Sequence, residues 1–92
     1  MRREWVPVKN ISASGILITY KEQLVVEEDL ALRIMFPFLE SPVACWGKIV
    51  RVEEITDPKA LIKVFDVGVN FSIFDEMVQR QLREYTEQIG RE

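Results

Sequence analysis

The sequence predicts a mainly β fold: a small antiparallel barrel of about five to six strands, closed by one C-terminal amphipathic helix. Three observations carry this. Leu61, Phe65, Val67, Val69 and Phe71 are apolar, while Asp66, Gly68, Asn70 and Ser72 alternate against them, the period of a half-buried strand. Turn-forming residues recur every ~8–12 positions between short β-rich runs. From Asp75 onward the period changes, with Val78, Leu82, Tyr85 and Ile89 spaced as one face of a helix.

The elements follow in chain order. Trp5-Val6-Pro7-Val8 is extended but holds a proline that cannot donate to a ladder, so residues 1–8 are a lead-in or an edge. Lys9 suits an edge for the same reason, since a charge there discourages edge-to-edge pairing. Gly15 to Tyr20 is β-rich and apolar. Glu27-Glu28-Asp29 reads as a solvated turn. Adjacent acids on an extended chain diverge, and no histidine supports metal binding there. Leu30, Leu32, Ile34 and Phe36 share one face of a strand, which Pro37 and Pro42 close with a loop.

Val43 to Ile55 is long for one strand, and Gly47 near its middle marks a bend or bulge. Strict alternation puts Ala44, Trp46, Lys48, Val50 and Val52 on one face and Val43, Cys45, Gly47, Ile49 and Arg51 on the other. Lys48 and Arg51 are expected to be solvated, and Arg51 could supply a phosphate contact if the fold brings it near the polar corner before Gly15. Ala60 to Phe65 and Val67 to Phe71 supply one or two further strands. Asp75 is the expected N-cap of the helix and Gly90 the residue after its end. The apolar stripe needs a partner, either the sheet or a second copy. Barrel strands thus occupy 9–74 and the helix 75–90, within a single domain of 1–92.

Composition limits the function. Ninety-two residues suit one domain that buries about two-thirds of the surface its unfolded chain exposes. A net charge of −3 and a pI near 5.0 argue against a nucleic-acid polymer as partner. One cysteine and no histidine exclude a disulfide framework and Cys-based zinc spacing, and leave no evident nucleophile–base pair. An enzyme is therefore not expected, nor is a required cofactor. No apolar run approaches the ~18 residues of a membrane span, so a cytoplasmic location is expected. Trp5 and Trp46 are expected to pack rather than stack on a ligand, the five phenylalanines to line the core or its rim, and Cys45 to be inert.

One stretch carries more than structure. In Lys9-Asn10-Ile11-Ser12-Ala13-Ser14-Gly15, the Asn, Ser and Gly sit between two β-formers and predict a tight polar corner. Asn and Ser can bond their own backbone, and Gly supplies positive φ without a Cβ clash. The same residues offer a carbonyl, a hydroxyl and bare main chain, which a flat polar ligand could use. Arg2, Arg3 and Lys9 make this end locally basic.

Asn10-x-Ser12-x-x-Gly15 followed by Ile16-Leu17-Ile18 resembles the second signature of the PilZ domain family, [D/N]-x-S-x-x-G. Gly68-Val69-Asn70-Phe71 is similar to that family's closing-strand pattern, and the helix stands where PilZ domains have theirs. The resemblance implies a six-stranded barrel that binds cyclic di-GMP, a bacterial second messenger, and relays it to a motility, pilus or polysaccharide-synthesis partner. It implies that Asn10 and Ser12 contact a guanine, and that Gly15 lets backbone approach the ligand or holds the corner's shape. An amide carbonyl can accept from guanine N–H groups, and a hydroxyl can donate or accept.

The chain is expected to lack the family's first signature, R-x-x-x-R, and the first strand of its barrel. Arg2 and Arg3 are adjacent, and only nine residues precede Asn10. Arginines are the groups that pair with phosphate and fork onto guanine O6 and N7. Three readings stay open: the chain is part of a longer protein, Arg2 and Arg3 substitute for the motif, or this is a degenerate member that binds no nucleotide. In the last case it is an adapter, meeting an effector protein or a second copy through an open sheet edge or the helix stripe.

Overall fold

The computed structural model describes residues 4–57 and 62–90, with backbone alone for Asp57 and residues 85–90. Arg2 and Arg3 lie outside the described residues. Five strands form one antiparallel sheet: β1 (Val8–Ile11), β2 (Gly15–Tyr20), β3 (Asp29–Ile34), β4 (Val43–Asp57) and β5 (Ile62–Ile73). Helix α1 (Glu76–Gly90) follows. The spatial order β1-β2-β5-β4-β3 places the last strand at the centre and β1 and β3 at the two edges.

The sheet is not closed into a barrel among the described residues. Closure requires one edge strand to bond the other with a fixed stagger. β1 has only four residues, follows Pro7, and pairs with β2 alone. Pro7 still contributes its carbonyl, which accepts from the Thr19 N–H at 3.1 Å. The two segments expected between Ala60 and Phe71 form a single strand, β5.

One face of the sheet is apolar and holds the core. Ile16 and Ile18 of β2, Val67 and Val69 of β5, Ile49 and Cys45 of β4 and Ile34 of β3 are buried there, together with Leu82 of the helix. Alternation on paired strands puts them all on one side. Leu82 is fully buried, which contributes about 1.5–3 kcal/mol relative to an exposed leucine. The helix stripe therefore packs on the sheet, through Val78 and Leu82. Tyr85 and Ile89 have side chains outside the described residues. Phe36, Phe38, Phe71 and Phe74 form one aromatic cluster: Phe36 stacks on Phe38 and meets Phe74 edge-on, and the Phe71 and Phe74 ring centroids are 4.5 Å apart.

Helix entry follows the expected cap. The Asp75 carboxylate accepts from the N–H groups of Met77 at 2.8 Å and Val78 at 3.2 Å. These donors have no intrahelical acceptor, which is why Asp suits this position.

Two shifts in the β4–β5 ladder bend the sheet. One lies at Trp46/Gly47, where the sequence places a bend. The other lies between Ile49 and Arg51 and makes Val50 an extra residue. That bulge resets the alternation of β4. Lys48 pairs with Asn70 and Arg51 with Gly68, two residues apart on β5, so Lys48 and Arg51 share the outer face instead of facing opposite ways. Val52, expected beside Lys48, pairs with Val67 and packs against the core. Trp46 also differs from expectation. It is 48% exposed on the outer face, paired with exposed Ile73, rather than packed inside.

Candidate functional site

The corner between β1 and β2 is built largely from its own backbone. The Ser12 N–H donates to the Gly15 carbonyl at 2.9 Å, and the Ser14 carbonyl accepts from the Phe71 N–H at 2.9 Å. The Ser12 hydroxyl lies 3.1 Å from that of Ser14 and accepts from the Ser14 N–H at 3.4 Å, a local side-chain turn. Gly15 is not at positive φ, contrary to expectation. Its glycine is required by close approach. A Cβ there would collide with the Val69 carbonyl oxygen on β5. The residue thus holds the corner against the central strand.

Asn10 and Ser12 are both exposed, and neither turns into the core. Pairing carries the surface onward from them. Asn10 faces Leu17, Leu17 faces Gly68 and Gly68 faces Arg51, one continuous row across four strands on the outer face. The next row runs Gly15, Asn70, Lys48, Asp29. Because Gly68 has no side chain, the floor between these rows is low. The result is a shallow open depression of about 210 Å³, bounded by Asn10, Ser12, Gly15, Val50, Gly68 and Asn70.

Charge is arranged around this shelf. Lys9 reaches across β2 to place its Nζ 2.7 Å from the Asp66 carboxylate on β5. Asp66 is 5% exposed and also accepts from the Thr19 hydroxyl at 3.4 Å. Lys48 and Arg51 stand on the β4 side, with carboxylate partners at 3.8 Å (Asp29) and 3.9 Å (Glu53). Trp5 is exposed and does not line the depression. The Glu27-Glu28-Asp29 run is exposed, and the described residues contain no cluster suited to a metal ion. Burial pushes the Cys45 thiol up from 9.0 to about 11, so it is a poor nucleophile.

Residues 2–88 match the PilZ domain in a comparison with known protein families. The chain belongs to the PilZ domain family. No curated protein and no solved structure gives a significant match. PilZ domains are binding and adapter modules rather than enzymes as a rule. In this PilZ domain no described helix is long and apolar enough to cross a membrane.

Sequence reasoning found Asn10, Ser12 and Gly15 on one corner but missed what completes the shelf. Gly68 and Asn70 join it because β5 pairs with β2. Their polar alternation with Val67 and Val69 was the available signal. Val50 joins through a bulge that leaves no trace in composition. Gln79 was also missed. Periodicity assigns it to the exposed side of the helix, yet its amide donates to the Ala13 carbonyl at 2.7 Å and ties α1 to the corner.

Proposed function

We propose that this PilZ domain is a cytoplasmic receptor module for cyclic di-GMP, with one guanine bound at Asn10, Ser12 and Gly15 on the outer-face shelf. The observation that supports this is the joint exposure of Asn10 and Ser12 beside a side-chain-free floor at Gly68. An exposed amide and hydroxyl at the rim can exchange hydrogen bonds with a guanine edge, while Leu17 and the Gly68 backbone offer a flat contact. Arg2 and Arg3 precede this corner in the chain and would add charge-assisted contacts to phosphate.

The relay runs through the corner. Gln79 of the helix donates to the Ala13 carbonyl, between the two proposed ligand residues and Gly15. A ligand that shifts this loop shifts the acceptor of a helix contact, and the helix carries the change to a motility, pilus or polysaccharide-synthesis partner.

Isothermal titration with cyclic di-GMP tests the reading. Wild type should bind, and Ser12→Ala and Asn10→Ala should each weaken binding by about 5- to 10-fold, the size of one lost hydrogen bond. Absence of binding by wild type, or binding by both corner variants as tight as that of wild type, would overturn the assignment.

A second reading has its own support. β1 and β3 are edge strands without a second neighbour among the described residues, and Trp46 and Ile73 expose apolar surface on the outer face. A degenerate PilZ domain could use an edge to add a strand from an effector protein or a second copy. Sedimentation that shows a monomer with no recoverable partner would count against it.

A further inference from the structure

The shelf is too small for the whole of the ligand proposed for it. At about 210 Å³ it falls below the ~300–1,000 Å³ of sites that enclose drug-sized molecules, and it is open to solvent. It takes one base of a cyclic dinucleotide. The two phosphates must then lie along a rim, where a cation is needed to replace lost hydration.

The rims differ in the cations they offer. Among the described residues the β1 side offers Lys9, which is already committed, at 2.7 Å, to a carboxylate that is almost wholly buried. Moving it to a phosphate would leave the buried Asp66 carboxylate without its cation and with only the Thr19 hydroxyl, which is unfavourable. On the β4 side the bulge at Val50 brings Arg51 opposite Gly68 and leaves Lys48 opposite Asn70. The stem of Arg51 abuts the shelf floor: a Cβ on Gly68 would lie 3.4 Å from the Arg51 Cβ and 3.9 Å from a Val50 methyl. Their carboxylate partners, at 3.9 Å for Arg51 and 3.8 Å for Lys48, form exposed pairs that are weak and readily exchanged.

We propose that Arg51, with Lys48 beside it, binds the ligand's phosphates from the β4 rim, the Val50 bulge having put Arg51 on the face that Lys48 already occupies. The proposal rests on the nucleotide reading above. A guanidinium can grip two phosphate oxygens at once, whereas the lysine acts as a point charge. Asn10 and Arg51 lie three strand spacings apart, about 14 Å, so base and phosphate are held from opposite sides of one shelf.

The test is titration of cyclic di-GMP into the full chain and its variants at two salt concentrations. Arg51→Ala should weaken binding about 10-fold or more and flatten the salt dependence, and Arg51→Lys should recover only part of the loss. Glu53→Gln, which removes the present partner of Arg51, should bind as tightly as wild type or more tightly. Arg51 and Glu53 are exposed, so unchanged thermal melting serves as the folding control. Binding by wild type together with equal binding by Arg51→Ala overturns the proposal and leaves the receptor reading standing. Weaker binding by Glu53→Gln also overturns it. No binding by wild type overturns the receptor reading and, with it, this one.

Discussion

Cys45 shows how burial sets the chemistry of a single side chain. It lies on the core face of β4, 4% exposed, with its thiol held up to about 11 from 9.0 by desolvation. At pH 8 the thiolate fraction in the folded protein should be on the order of 100-fold below that of the unfolded chain. Iodoacetamide labelling, slow in buffer and fast in urea, checks this. The linkage has a definite sign. Between about pH 9 and pH 11 the unfolded chain has released the proton and the folded chain has not, so stability falls as pH rises through that window. Denaturation midpoints at pH 8 and pH 10.5 should differ in that direction. Asn10 and Ser12 are the opposite case, polar groups left in water, where a partner can compete for them.

Among the elements, the helix depends on its first turn. Asp75 satisfies two otherwise unpaired N–H groups, and Gln79, one turn further on, bonds the β1–β2 corner. Asp75→Ala should destabilise the domain by about 1 kcal/mol, read as a lower urea midpoint with an unchanged m-value. β4 makes a different point. Its fifteen residues cannot be read by strict alternation because the bulge at Val50 inserts one residue and inverts every facing after it. That single insertion puts Arg51 on the outer face and Val52 on the core side.

At the scale of the whole molecule, the shelf depends on an edge strand. β1 has four residues, one neighbour and an irregularity between Val8 and Asn10. Lys9, at that irregularity, anchors it to β5 through Asp66, across the intervening β2. Lys9→Met should cost about 1–3 kcal/mol, because it leaves a buried carboxylate with only the Thr19 hydroxyl. Urea denaturation measures the loss, and amide exchange should be fastest in β1. Val78 and Leu82 of the helix pack on the apolar face, and the shelf lies on the opposite face, beside the Lys9–Asp66 pair.

Local chemistry in the sequence determined the strands, the helix with its Asp75 cap, the polar corner and the family pattern, because periodicity, capping and turn formation act over a few residues. The Gly47 bend was legible for the same reason. Tertiary pairing decided the rest. It set which strands lie side by side and, among the described residues, left the sheet open. It gave Gly15 a close contact to relieve instead of a positive φ. It brought Gly68 and Asn70 beside the corner from more than fifty positions away in the chain, and Arg51 onto the same face from some forty. Those placements depend on ladder register and on one inserted residue, and register is fixed by how two distant segments bury their faces together, which no local pattern encodes.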